Sequence, residues 1–254
     1  MSYAPSPLAH HPGPAAPSPS AAVAGAKPSV PARSPFGWLF AVAVLLMAGV
    51  YVRAIYFTPL EALQGAAQKI YYLHVPSAVS SYLAISITAL MSIVYLWLRD
   101  ERADRLAEAS AEVGLVFLTG VLTTGPLWAR RIWGTWWTWD ARLTLTLFLW
   151  FVVAAYLVMR GAIEDDAMRA RYSAVLAILG ALLIPFIHLS VYLFRTLHPM
   201  PIVLKPSTPS LPSEMLTTFL FSMGSFTVLC IALIAARYRL SVLRDVAALS
   251  EEAR

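Results

Sequence analysis

Residues 77–98 read SAVSSYLAISITALMSIVYLWL, an unbroken apolar run without a single charge. A helix of that length reaches across the hydrocarbon core of a bilayer, and in lipid a helix is the open segment that satisfies its own backbone. Working outward, five more apolar runs follow the same pattern: Phe36 to Phe57, Val113 to Ala129, Leu143 to Met159, Tyr172 to Phe194 and Met215 to Ala236. The whole 254-residue chain agrees, with 59% hydrophobic and 13% charged residues, a composition outside the range of soluble domains. The expected fold class is all-α, a polytopic membrane protein built as a bundle of six transmembrane helices.

Six spans place both ends of the chain on one side. Twelve Lys and Arg residues fall there, against seven on the other side (Arg53, Lys69, Arg130, Arg131, Arg142, Arg195 and Lys205). The positive-inside rule therefore puts both termini in the cytoplasm, with the chain multi-pass in the membrane. Residues 1–34 are rich in Pro, Ala and Ser and read as a disordered N-terminal tail, 35–240 as the six-span domain, and 241–254 as a cytoplasmic C-terminal tail. The stretches near 99–112 and 160–171 read as solvated connectors. No phosphate-binding glycine loop is present, which argues against an ATPase, and nothing points to a nucleic acid. The single cysteine, Cys230, excludes an intrachain disulfide and the CxxCH signature of covalent haem attachment.

The external connections carry the unusual residues. RRIWGTWWTWDARLT, Arg130 to Thr144, places Trp133, Trp136, Trp137 and Trp139 within seven residues, next to Asp140 and flanked by Arg130, Arg131 and Arg142. Trp suits the membrane interface, which accounts for one or two of them. Trp133, Trp136, Trp137 and Asp140 follow helical spacing, so a short surface helix presenting an indole shelf is expected. Asp140 suits pairing with Arg142 or capping the fourth span. Such a shelf packs on protein, on lipid, or on a flat conjugated ligand with an acidic edge, for which Arg is the bidentate partner. Haem is such a ligand, and its iron takes imidazole. His74 and His198 fall in the first and third external connections, each beside a proline (HVP, HP). His188, inside the fifth span, reads first as a helix–helix hydrogen-bonder and second as a reserve ligand. A zinc site would require three or four ligands in closer spacing.

WGTWWTWDARLT resembles the tryptophan-rich WWD signature of the haem-handling proteins of cytochrome c maturation. IYYLHVPSA and IHLSVYLFRTLHP resemble the flanking segments of one branch, the haem exporter protein C (CcmC) family. The likeness covers about residues 36–240 and implies a haem carrier of the bacterial inner membrane, with its site on the periplasmic side. Haem b is then held non-covalently on the periplasmic face, with His74 and His198 as axial ligands and Trp133, Trp136, Trp137, Trp139 and Asp140 as platform, beside Arg142. It is passed to a periplasmic haem chaperone, CcmE. The ABC transporter subunits CcmA and CcmB and the small membrane protein CcmD assemble with the chain, and ATP hydrolysis belongs to those partners. The protein itself is then a delivery component and no enzyme. Arg130, Arg131, Arg195 and Lys205 are added from their charge alone as contacts to the ligand's acidic edge. The competing reading is a membrane assembly or permease subunit whose Trp-rich loop binds a partner protein without haem.

Overall fold

A computed structural model describes residues 35–203 and 205–252; the expected tail over 1–34 lies outside the described residues. The elements are α1 (Pro35–Val52), prolonged by a wider turn over Arg53–Phe57, and a tight turn Ala66–Ile70 leading into α2 (Tyr71–Leu98). Then come α3 (Glu101–Trp133), α4 (Ala141–Ala162), α5 (Asp166–Ala181), α6 (Leu183–Leu193) and α7 (Ser213–Glu252). Among the described residues six helical stretches are long and apolar enough to cross a membrane, with α5 and α6 sharing the fifth. Among the described residues there is no strand, only an isolated bridge between Glu61 and Gly65. The fold is the expected all-α bundle.

α2 and α3 form its centre. They pack along their length, α5 and α7 lie against α2, α4 and α7 lie against α3, and α1 leans on α7. Close approach needs small residues, because lipid supplies no hydrophobic drive between helices. Gly114 meets this need: a Cβ there would stand 3.0 Å from Ile85 Cγ1 and 3.4 Å from Ala84 Cβ.

The helices run beyond the apolar runs. Arg99, at φ 57°, ends α2 with its N–H on Tyr95 O at 2.8 Å, and Asp100 caps α3 by accepting from Arg102 N at 2.8 Å. The expected connector near 99–112 is therefore mostly the first three turns of α3. Its small face, Ala103, Ala107 and Ala111, is buried. Its acids are met by bases from other helices. Arg160 of α4 holds Asp104 at 2.7 and 2.8 Å and Glu108 at 2.8 Å, and Arg237 of α7 pairs with Glu112; in the reverse sense, Arg105 of α3 pairs with Asp245 of α7 at 2.6 Å. At the other chain end α7 stays helical through Glu252, including residues 241–252 that read as a tail.

Two prolines shape the spans. Pro76 lies early in α2 and cannot donate to the Tyr72 carbonyl; Ser222 of α7 donates to that oxygen instead. Pro185 likewise leaves the Ala181 carbonyl without its helical donor, and the fifth span breaks at Leu182. Below the break α5 packs on both α2 and α4, and beyond it α6 packs mainly on α4. Cys230 is fully buried against Phe117 and Phe226 as a packing residue.

The Arg160 side chain is 4% exposed, so its removal strands two carboxylates. Arg160→Ala should cost about 1–3 kcal/mol, less than for a fully buried pair because Asp104 and Glu108 keep some access to water. Thermal unfolding in detergent should show it, and Arg160→Lys should restore part of the loss.

Candidate functional site

The site begins where α3 stops. Trp133 is its last residue, and Gly134, at φ 73°, takes the left-handed conformation that closes a helix. Arg130 turns back onto the Gly134 carbonyl, as bases at helix C-termini do, and its guanidinium carbon lies 6.0 Å from the Trp136 ring centroid. The expected surface helix through Trp136, Trp137 and Asp140 is therefore absent. These residues form an irregular link to α4, because a glycine that relaxes at positive φ stops the helix before the spacing can act. Asp140 takes the capping role: its Oδ1 accepts from Leu143 N at 3.0 Å, and its Oδ2 accepts from Thr138 Oγ1 at 3.2 Å.

Beneath this link lies a cavity of about 770 Å³. That size lies within the range of small-molecule and cofactor sites, about 300–1,000 Å³. Along α3 its wall runs from Val121 to Trp133. That is about 18 Å at 1.5 Å per residue, so the cavity descends well into the span. His74, His198, Trp133, Trp137 and Arg142 all line it, and so does His188. Trp136, Trp139, Asp140, Arg130 and Arg131 do not. Trp136 is 56% and Trp139 77% exposed on the outer surface, and both arginines are exposed. Trp139 still touches Trp137 edge-on, with ring centroids 5.7 Å apart. Lys205 is bound to Ser210 within its own loop, and Arg195 is exposed.

The two histidines are held differently. His74 stands in the first turn of α2 rather than in the loop, because the tight turn Ala66–Ile70 starts the helix early. Its Nδ1 lies 2.9 Å from Thr124 Oγ1, and its ring meets Trp128 edge-on at 5.8 Å. His198 lies in the Pro-rich connection before α7. Its ring centroid is 6.5 Å from that of Trp133, and its Nδ1 lies 3.1 Å from the Pro199 carbonyl. Burial, and then the Arg142 guanidinium, hold His198 down at about 4, so at neutral pH its ring is uncharged, the form that ligates metals.

Two donors at the cavity are unsatisfied. Trp137 Nε1 and Arg142 Nη1 are buried without a partner among the described residues. Buried donors are nearly always bonded, so this pair suits an acceptor brought by a ligand, above all a carboxylate. The remaining wall is aromatic and aliphatic: Tyr71, Tyr82, Trp128, Ile202 and Met215 among others. Trp128 donates to Gln64 Oε1 at 3.0 Å, which ties the first external connection to α3. Sequence reasoning missed Trp128 because it reads as one more apolar residue of a span. Among the described residues no three His, Cys, Asp or Glu side chains converge as a metal site would need.

Comparison with known proteins gives the family. The profile of the heme exporter protein C family matches residues 26–252. The chain belongs to the heme exporter protein C family. A relative of that name from Bradyrhizobium diazoefficiens is 37% identical over 208 residues, covering 82% of this chain and 78% of the relative. One from Haemophilus influenzae is 34% identical, covering 82% and 85%. One from Escherichia coli K12 is 34% identical over 164 residues, covering 63% and 66%.

The link from Trp133 to Ala141 depends on its two ends. Gly134→Ala forces a side chain into positive φ and Asp140→Ala removes a cap. Each should cost about 1 kcal/mol. Near-ultraviolet circular dichroism should show altered tryptophan packing in both, with the helix content kept.

Proposed function

We propose that this protein binds haem at the periplasmic face of the bacterial inner membrane and delivers it for the maturation of c-type cytochromes. The observation that carries the reading is the meeting of His74 and His198, from separate elements, on one aromatic cavity that also holds two unpartnered donors. The names of the relatives speak of haem export, and the cavity suits that cargo. A porphyrin is flat and apolar, as are Trp133 and Trp137; its iron takes imidazole, and its propionates suit Arg142 Nη1 and Trp137 Nε1–H.

The roles divide accordingly. His74 and His198 are the iron ligands, and Trp133 and Trp137 the stacking surface. Arg142 is the propionate partner, and Asp140 fixes the start of α4 so that Arg142, two residues on, is aimed into the cavity. Trp136, Trp139, Arg130 and Arg131 act outside the cavity, where exposed indoles and guanidinia suit a docking protein. A haem chaperone of the CcmE kind is the proposed acceptor there, with lipid around the rim. The ABC subunits CcmA and CcmB and the small protein CcmD are the proposed remaining partners and supply ATP hydrolysis. The haem is of the b type, bound without thioethers, because the one cysteine is packed inside α7 away from the cavity lining.

The absorption spectrum of the purified protein tests the reading. Wild type should carry a two-histidine haem spectrum. His74→Ala and His198→Ala should each leave an altered pigment that external imidazole restores in part, and the double variant should lose most of it. His188→Ala should leave the two-histidine spectrum in place; a change there, with none in His198→Ala, would move the ligand to α6.

Orientation is tested separately. Ser207 and Ser250 are exposed and lie at opposite ends of the bundle. In intact spheroplasts an impermeant thiol reagent should label Ser207→Cys and spare Ser250→Cys. The reverse pattern would place the cavity on the cytoplasmic side.

A further inference from the structure

With His74 as one of the two iron ligands, as proposed, its surroundings decide which ring nitrogen the iron meets; the role assigned to them rests on that proposal. Three residues of one α3 segment, TTGPLW, enclose the ring. Thr124 Oγ1 lies 2.9 Å from Nδ1. Gly125 leaves the space at the ring edge: a Cβ there would stand 3.3 Å from His74 Cε1, the carbon between the two nitrogens. Trp128 closes the third side, with centroids 5.8 Å apart at 70°.

The Thr124 hydroxyl has one proton. Its oxygen lies 2.7 Å from the Gly120 carbonyl and 3.4 Å from the Val121 carbonyl, both of which can only accept. With its proton committed to its own helix, Oγ1 is left as an acceptor toward His74, and the neutral imidazole must then carry its proton on Nδ1. Nε2 is thereby left with the lone pair. Were the hydroxyl turned to donate to Nδ1, the proton would sit on Nε2 and the ring could not ligate from that nitrogen.

We infer that Thr124 is a positioning residue that fixes the Nδ1–H tautomer of His74 and so presents Nε2 to the iron. The same bond raises the donor strength of Nε2, as partners behind metal-bound histidines do. Thr124 touches no cargo; it acts through His74. Gly125 is part of the same device, since a larger residue would press on the Cε1–Nδ1 edge of the ring, the edge that Thr124 holds.

Histidine tautomers can be read directly in the haem-free protein labelled with ¹⁵N-histidine, which has only five such residues. His74→Ala identifies the resonances. An Nδ1–H tautomer at His74 in wild type is expected, and an Nε2–H tautomer overturns the inference without any variant at Thr124. The second measurement is haem affinity and the iron–histidine stretching band, taken in the His198→Ala background so that His74 is the sole ligand. Thr124→Val should weaken haem binding about tenfold to a hundredfold, the usual effect of losing such a partner, and should lower the band frequency. Thr124→Ser, which keeps the hydroxyl, should hold both near the parent values. Equal affinity and band in Thr124→Val and the parent would overturn the role of Thr124 while leaving His74 a ligand. If His74→Ala itself leaves the wild-type haem spectrum untouched, the ligand assignment falls and this inference falls with it.

Discussion

The register of α2 against α3 is the constraint on which the rest depends. The helices run antiparallel from a tight turn at Arg99 and Asp100, so a contact at one end fixes every contact along the pair. Near the turn Tyr95 packs with Ala103; midway Ala84 and Ile85 close on Gly114; at the far end His74 meets Thr124 and Gly125. Lipid does not drive such helices together, so approach is decided by how small the facing residues are. α2 supplies Ser77, Ser81, Ala84, Thr88 and Ser92, all buried. Three of these hydroxyls, on Ser77, Ser81 and Thr88, bond to carbonyls of their own helix. They act as small, self-satisfied groups rather than as bonds between helices. A shift of one residue in this pairing would remove the hydroxyl from behind His74.

The cavity follows from what the other spans leave uncovered. α5 lies against α2 and α4 at the end near the turn, but beyond the break at Leu182 α6 stays on α4 and leaves α2. At the tryptophan end α2 and α3 therefore lack a tight fifth-span neighbour, and the link before α4 and the Pro-rich connection before α7 form the cover. The same break leaves His188 on the lining. At the opposite end the bundle is drawn together by charge, with Arg160 and Arg237 reaching acids of α3 and Arg105 of α3 reaching Asp245 of α7. The two ends thus use different physics, ion pairs at one and an aromatic cover at the other.

Hydropathy made the number of spans legible, because the penalty for unsatisfied backbone in lipid leaves a long apolar run little choice. The helix ends were not legible by the same rule. The polar start of α3 reads as solvated loop until Arg160 and Arg237, distant in sequence, are seen to neutralise it. In the site, the tryptophans and histidines stand out by residue type, and His74, His198, Trp133, Trp137 and Arg142 do share one cavity. Periodicity misled at Trp136 and Asp140, where the glycine at 134 overrides it; two arginines shortly before a Gly are a helix-stop signal that was there to be read. Thr124, Gly125 and Trp128 could not be singled out, since their role comes from which face of α2 they meet.

The two candidate ligands differ in a way that bears on delivery. A carrier must bind its cargo and then let it go, and a site with both ligands fixed would do the first and resist the second. His74 is fixed: it sits in a helix, in the best-packed pair of the bundle, with a hydroxyl on one nitrogen and an indole at its edge. His198 stands on a connection with prolines at 199, 201, 206, 209 and 212, whose conformation is held, among the described residues, by few bonds, one of them Ser210 N to Ile202 O at 2.8 Å. In the proposed reading, cargo release therefore proceeds from the His198 side. Trp133, at the end of α3, lies beside His198, and Trp136 and Trp139 stand exposed a few residues on. A partner that engages those outer rings would press on the same link that backs His198, while the α2–α3 pair keeps His74 where it is.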